Sequence, residues 1–404
     1  MKSALKGMRR HIAILGRCNT GKSTLLNRIA GQQAALVADT PGTTADPVPL
    51  SFELLPLGPV TLYDTAGLDE AGALGAGRRK AALAVLERVD MAVLVTDGTG
   101  IAAQEEELIA TCRKLKTPFI LFFNRQGETA APRKDFDRCR EEGIPFLALD
   151  DGREAEGDIL RRALLELAPE MEKERELLLD LVPEKGMTIL ITPVDSSAPK
   201  GRLIAPQVQS LRELLDGHRM SLVVQTEELG DALAALRREP ALVVTDSQAV
   251  KAVAAITPDS VPLTTFSLLF SRLKGDFALQ AAGAAAIRTL QPGARILVAE
   301  SCSHHPQGDD IGRVKLPALL RTMLGFELSF SVCAGRDFPA DLCAYSLVLH
   351  CGGCMLSRRE MQRRLRLCAD AGVPVTNYGM AISAAQGVLE RVVAPLLRAE
   401  RNRA

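Results

Sequence analysis

Residues Gly16-Arg-Cys-Asn-Thr-Gly-Lys22-Ser23 follow a short apolar run, His11-Ile-Ala-Ile-Leu15, and open a stretch of helical spacing over 22–30 that stops at Gly31. Strand, glycine loop and helix in that order constrain the fold strongly, because the loop cradles phosphate only when its backbone N–H groups converge at a helix N-terminus. Gly16, Asn19, Thr20, Gly21 and Thr24 are expected to line the nucleotide's phosphates, Lys22 reaches the β- and γ-oxygens, and Ser23 places a hydroxyl on Mg2+. Residues 60–63, 91–96 and 118–123 read as further buried strands, separated by helical stretches at 76–89 and 104–116. This alternation predicts a mostly parallel sheet with helices on both faces, in a phosphate-loop domain spanning 1–169.

A charge-rich segment, 170–185, reaches Pro183 and Gly186 and reads as a helical linker. A second α/β block, 186–274, has strands at 187–192, 220–224 and 241–245 and a helix at 227–238, with no metal cluster and no recognisable catalytic set. A third block, 275–404, has a helix at 277–289 and strands at 294–300, 345–349 and 374–377. The fold class is therefore α/β: a P-loop domain followed by two further α/β domains with largely parallel sheets. Lysine plus arginine equals aspartate plus glutamate at 49 each, so neither a nucleic acid nor a membrane surface is expected as partner. No apolar run reaches membrane-spanning length and no leader precedes the first strand. Nine cysteines spread over such a chain imply reduced thiols and a cytoplasmic location.

Two of the third block's strands deliver Cys302-Ser-His304-His305 and His350-Cys351-Gly-Gly-Cys354, which hold three of the five histidines and three of the nine cysteines. Carboxyl ends of parallel strands are where open α/β sheets place their sites. Spacing alone leaves structural zinc with Cys3His ligation and an iron–sulfur cluster open, with a redox-active Cys-x-x-Cys third. Ser357 and Glu360 form a capping-box pattern, which sets Cys351 and Cys354 before a helix N-terminus that favours thiolate. Arg358, Arg359, Arg363, Arg364 and Arg366 on that helix read as a solvated face or as a docking surface for an acidic partner. Cys18, Cys112, Cys139, Cys333, Cys343 and Cys368 have no ligand-spaced partner and read as packed thiols.

Between the phosphate loop and the third-block motifs lie Pro41-Gly-Thr43-Thr44 and Asp64-Thr-Ala-Gly67. Together with the loop they resemble the small GTPases, specifically the bacterial branch that includes Era and the tRNA-modifying MnmE. The resemblance implies GTP as ligand, Thr44 as a magnesium ligand with Thr43 as the alternative, Asp64 as the water-mediated magnesium carboxylate, and a Gly67 N–H for the γ-phosphate. Leu68 stands where Ras-like members carry a water-positioning glutamine, and Asn19 matches the residue that holds K+ in cation-activated members, which implies slow, K+-stimulated hydrolysis. One motif departs from the pattern: Asn124-Arg-Gln-Gly127 keeps the base-reading asparagine but lacks the carboxylate, Glu128 is out of register, and Leu147-Ala-Leu149 replaces the supporting Ser-Ala pair. Losing two charge-assisted hydrogen bonds removes roughly 3 to 6 kcal/mol of guanine discrimination.

A more specific resemblance runs along essentially the whole chain. Glu300-Ser-Cys302-Ser-His304-His305 through Asp309-Asp310-Ile-Gly312 to Pro317, then His350 to Met355, Asn377-Tyr-Gly379, Ser197-Ala-Pro-Lys-Gly-Arg202, Thr245-Asp-Ser-Gln248 and Phe266-Ser267 are similar to the HydF family, the maturation GTPases of [FeFe]-hydrogenase. That resemblance implies a 4Fe-4S cluster on Cys302, Cys351 and Cys354, with Asp309, His304, His305 and His350 as candidates for an exchangeable fourth ligand or for a supporting role. It also implies a homodimer formed through the middle block, with higher oligomers open, and a diiron precursor made with two radical-SAM enzymes and delivered to apo-[FeFe]-hydrogenase. The competing expectation is an Era-like ribosome- or tRNA-associated GTPase with a zinc-stabilised C-terminal domain.

Overall fold

The computed structural model describes residues 9–30, 48–55, 57–65, 67–68, 72–97, 99–124, 133–149, 155–167, 176–194, 203–301, 310–335, 338–339 and 341–403. Thr43, Thr44, residues 125–128 and 197–202, Cys302, His304, His305 and Asp309 lie outside the described residues. The chain divides into two compact units, Met1–Glu174 and Arg175–Ala404.

The first unit runs β1 (Arg10–Gly16), α1 (Lys22–Ala30), β2 (Val48–Leu54), β3 (Gly58–Asp64), α2 (Gly72–Leu86), β4 (Met91–Thr96), α3 (Ala103–Leu115), β5 (Phe119–Asn124), α4 (Arg133–Glu141), β6 (Phe146–Leu149) and α5 (Ala155–Leu167). Among the described residues these strands make a six-stranded sheet in the order β2-β3-β1-β4-β5-β6, parallel except where β2 meets β3. Alternation along each strand feeds two cores. Ile12, Ile14, Val93 and Val95 face Leu25 and Ile29 of α1 and Leu160 and Leu164 of α5. Ala13, Leu15, Ala92 and Leu94 face Leu86, Leu108, Ile109 and Cys139 from α2, α3 and α4. Because both faces are covered, the site falls at a rim of the sheet, the carboxyl end, where β1 feeds the phosphate loop.

The second unit begins with a 3-10 turn, Leu179–Leu181. It continues through β7 (Met187–Ile191), α6 (Ala205–Asp216), β8 (Met220–Val224), α7 (Leu229–Ala235), β9 (Leu242–Thr245), α8 (Val250–Ile256), β10 (Leu263–Thr265), α9 (Phe266–Lys274) and α10 (Phe277–Ala286). It then runs β11 (Arg295–Glu300), α11 (Leu316–Leu324), β12 (Ser329–Ala334), β13 (Leu347–His350), α12 (Arg358–Asp370), β14 (Val375–Asn377), α13 (Tyr378–Ala385) and α14 (Leu389–Arg403). Two four-stranded sheets result among the described residues, β10-β9-β7-β8 and β12-β11-β13-β14, and their strand pairs are parallel.

The expected helical linker at 170–185 takes a different form over its described part. Leu177, Leu178 and Val182 are buried in the core of the second unit, and the Glu213 carboxylate accepts the N–H groups of Leu177, Leu178 and Leu179 at 3.0, 3.1 and 3.2 Å. The apolar leucines, not the flanking charges, decide its place. The second and third sequence blocks also share one core, because Val392, Val393 and Leu396 of α14 pack with Leu177, Val244 and Leu269. Arg272 of α9 ties the ends of this unit together: it is 1% exposed, donates to both oxygens of Asp180 at 2.9 and 2.5 Å, and donates to Glu400 at 2.7 Å. A guanidinium buried this deeply is stabilising only while its carboxylates remain. Replacing it with methionine is expected to destabilise the second unit by ~3 kcal/mol, at the low end for broken buried pairs because both carboxylates keep solvent contact; chemical denaturation followed by circular dichroism checks this.

Candidate functional site

The phosphate loop has the backbone its sequence requires. Gly16 could not be any other residue, since a Cβ there would meet the Val95 carbonyl oxygen at 2.1 Å; Asn19 and Gly21 adopt left-handed φ values of 60° and 84°. Lys22 is buried and its ammonium donates to the Arg17 carbonyl of the loop itself. The Ser23 hydroxyl donates to Asp64 at 3.0 Å, which brings together the two groups expected around magnesium. Asp64 also fits that ion by what it lacks: its Oδ1 is buried without a hydrogen-bond partner in the structure, and burial pushes its carboxyl up despite Ser23 and Lys22. Gly67 lies against the loop so closely that a Cβ would come within 2.7 Å of the Cys18 nitrogen. Thr24 is exposed on α1.

Three further contacts hold this arrangement. Arg17 points away from the cradle, donating to Glu105 at 2.9 Å and to Asp97 at 2.9 Å in the segment after β4. Asn124 donates to the Thr20 carbonyl at 2.7 Å, so the first residue of the base-reading motif clamps the phosphate loop. Leu68 is packed into the core with Leu15 and Leu86, which removes its side chain from the position of a water-orienting group.

In the second unit, β11 and β13 are adjacent and end side by side, Ala299 opposite His350. Cys351 and Cys354 follow directly and are partly exposed free thiols. Ser301 donates to the Cys351 sulfur from its backbone N–H at 3.1 Å, and its hydroxyl lies 2.8 Å from the same sulfur. Gly353 has φ +64° and a Cβ there would strike Met361, so the turn between the thiols needs glycine. The Ser357 hydroxyl accepts the Glu360 N–H at 3.3 Å and caps α12, and the Glu360 carboxylate accepts from Arg364 at 2.9 Å. Burial pushes the Cys354 thiol up, with Cys351 adding to the effect and Lys274 opposing it.

Lys274 reaches this loop from α9. It is 3% exposed, and its ammonium donates to the carbonyls of Leu356 at 2.9 Å, Gly353 at 3.1 Å and Cys354 at 3.4 Å. Burial brings it down to about 8, an effect that the Cys354 and Cys351 thiols oppose. Glu300 accepts a bidentate bond from Arg313 at 3.0 and 2.7 Å, which joins the two flanks of residues 302–309. Asp310 caps the turn Ile311–Lys315 by accepting the Arg313 N–H at 2.9 Å. Asn377 caps α13 and donates to the Ser267 carbonyl at 3.1 Å.

Several sequence expectations change here. His350 is fully buried, its Nδ1 is 2.8 Å from the Cys351 carbonyl and its Nε2 is 3.3 Å from an Arg364 nitrogen; both ring nitrogens are engaged inside the protein, the arrangement of a residue that supports the loop. Arg364 is no part of a solvated face. It is 1% exposed, donates to Gly335 O at 2.6 Å and lies over the Phe338 ring. Cys343 is exposed rather than packed, whereas Cys112, Cys139 and Cys368 are buried. Among the described residues no group of three or more metal-binding side chains is present, since Cys302 falls outside them. The two described thiols still suit a soft, thiolate-bound group, because the Cys351 sulfur already sits in a donor-lined niche. Sequence reasoning missed Lys274 and Ser301, since a lysine ending a helix and a serine after a strand carry no signal of their own, and it read Arg364 as part of a solvated or docking face rather than as a buried support.

The fold and both sites define a protein of the P-loop GTPase class with two further parallel α/β sheets. Residues 11–125 match the family model described as 50S ribosome-binding GTPase. Residues 177–275 match the hydrogen maturase F dimerization domain and residues 278–395 the hydrogen maturase F tetramerization domain. The chain belongs to the hydrogen maturase F family. GTPase Der of Chloroflexus aurantiacus is 40% identical over 119 residues, 28% of this chain and 26% of that one; GTPase Der of Acidithiobacillus ferrooxidans is 36% identical over 151 residues, 36% and 33% of the two chains. The chain thus spans about a quarter to a third of these curated relatives. The structure of Aquifex aeolicus Era bound to GDP and AlF4− matches at 18% identity over 53% of this chain and 93% of that one, with a TM-score of 0.32. No described helix is long and apolar enough to cross a membrane.

The environment of His350 has a pH consequence. Burial, and then the Arg364 guanidinium, bring it from 6.5 down to about 4. The unfolded chain therefore takes up a proton that the folded chain refuses, so stability is full above 6.5 and falls as pH drops through that window toward 4. Denaturation midpoints measured from pH 7 to 4.5 are expected to fall less steeply in His350→Asn than in the natural chain, whose slope carries up to ~1.4 kcal/mol per pH unit from this group. Parallel slopes would contradict the assignment.

Proposed function

We propose that the chain is a GTP-hydrolysing scaffold for hydrogenase maturation, which carries a 4Fe-4S cluster, receives a diiron precursor made with two radical-SAM enzymes and passes it to apo-[FeFe]-hydrogenase. The observation that carries this reading is the thiol pair Cys351 and Cys354 at a parallel-sheet end, with Ser301 donating to one sulfur, in a span that matches the maturase family. Cys302 follows Ser301 in the chain and supplies the third thiolate. Three cysteine ligands leave one iron with an exchangeable position, to which a second metal fragment can attach. Asp309, His304 and His305 remain the candidates for a temporary ligand there, with His350 in a supporting role. The dimerisation and tetramerisation models support a homo-oligomer.

In the nucleotide site, Lys22 binds the β- and γ-phosphates, the Gly67 N–H meets the γ-phosphate, and Ser23, Thr44 and Asp64 hold Mg2+, which when bound neutralises phosphate charge. Asn19 holds K+. With Leu68 in the core, no side chain at that position orients the attacking water, so hydrolysis is slow and the bound nucleotide acts as a switch on partner affinity. The maturase models over 177–275 and 278–395 weigh for this reading over an Era-like ribosomal role with structural zinc.

Two measurements test it. Anaerobically purified or reconstituted protein is expected to contain iron and sulfide and, once reduced, to give a 4Fe-4S EPR signal that Cys351→Ser abolishes; zinc in place of iron overturns the scaffold. Hydrolysis is expected to be faster in K+ than in Na+, with GTP competing better than ATP; equal rates in the two salts remove the potassium site, and equal competition by ATP or XTP removes guanine selectivity.

A further inference from the structure

The Cys351–Cys354 loop belongs to the span that matches the tetramerisation model, yet its backbone is organised by a residue from the preceding span. The carbonyls of Gly353, Cys354 and Leu356 converge on the Lys274 ammonium at 3.1, 3.4 and 2.9 Å. An ammonium has three donors, and these three bonds use them all. Three carbonyl dipoles aimed at one buried point repel one another unless a cation sits there. The lysine lies 5.4 Å from the centre of the Phe270 ring on the same helix, and the groups that act on its charge are the two thiols, Cys354 and Cys351. Helix α9 is itself fixed: Leu268 and Leu269 are buried in the core, Thr265 caps its start, and Ser267 packs against Gly379 while accepting from Asn377.

We infer that Lys274 is a positioning residue for the metal centre: its ammonium templates the Cys351–Leu356 loop and places a fixed positive charge beside the thiolate ligands, making cluster retention and redox potential depend on the dimerisation span. This rests on the cluster reading above. The charge favours the reduced, more negative state of a thiolate-bound cluster, and the carbonyl contacts set the two sulfurs for binding before iron arrives.

The test uses the full chain with Lys274→Met and Lys274→Gln, reconstituted anaerobically with iron and sulfide. Glutamine is one atom shorter than lysine but keeps two N–H donors without the charge, so it separates templating from electrostatics and answers for the methionine variant should that one not fold. Lys274→Met is expected to lose iron to a chelator at roughly tenfold or lower concentration than the natural chain, the effect typical of groups that orient metal ligands. Lys274→Gln is expected to keep more iron than Lys274→Met but to show an EPR-monitored midpoint potential shifted negative. Iron retention and potential unchanged in both variants would overturn the inference. A natural chain that takes up no iron and sulfide would instead overturn the cluster reading, so the two failures are distinguishable.

Discussion

Three backbone carbonyls that meet at one buried ammonium are the constraint around which the second unit is arranged. A turn that points its carbonyls inward has no stable isolated form, because those groups need a donor that the turn itself cannot supply. Lys274 supplies it from the end of α9, a helix whose Leu268 and Leu269 are buried beside β7 and β9 residues. The thiol loop and the neighbouring sheet are thus parts of one cooperative structure. The return of α14, with Val392 and Leu396 in that same core and Glu400 on Arg272, closes it from the far end of the chain.

The first unit applies a similar economy to the phosphate loop, which is held from both sides by residues outside it. Arg17 anchors it to Glu105 and Asp97, and Asn124 anchors it to β5 through the Thr20 carbonyl. This explains how the base-reading motif can lose its carboxylate at Gly127 while keeping Asn124. The asparagine has a task in shaping the cradle that is independent of the base, so phosphate binding and base selection separate physically. Affinity in such a site rests on phosphate, magnesium and backbone N–H groups.

Much of this was legible in the sequence. The first sheet's inner strands appear because their residues are continuously apolar and both faces are covered, and the phosphate loop appears because its glycines are sterically required. Strands β2, β6, β10 and β12 were not anticipated: each is at a sheet edge, where one side of the strand is unpaired and the apolar signal is weaker. Site residues divide in the same way. Cysteine spacing exposes Cys351 and Cys354, but Lys274 reaches the carbonyls of Gly353, Cys354 and Leu356 across 79 to 82 positions, and a lysine at a helix C-terminus is what the helix dipole alone would select. Arg364 is hidden by company, one arginine in a run whose neighbours are more exposed.

The fate of His350 shows how packing narrows chemistry. A histidine beside a Cys-x-x-Cys pair is a natural metal ligand by type, and only three-dimensional accounting of its two nitrogens reveals that Cys351 and Arg364 use both. In this arrangement a metal bond from either nitrogen would displace an existing contact, with the Cys351 carbonyl or with Arg364, which keeps Glu360 and Gly335 as partners. The 302–309 segment is the one whose flanks, Glu300 and Arg313, are joined by a bidentate ion pair, and Ser301 at its threshold is bonded to the Cys351 sulfur. Fixing the two ends of a segment lowers the entropy cost of closing it, so the Glu300–Arg313 ion pair and the Ser301–Cys351 contact together organise the threshold of this sheet end.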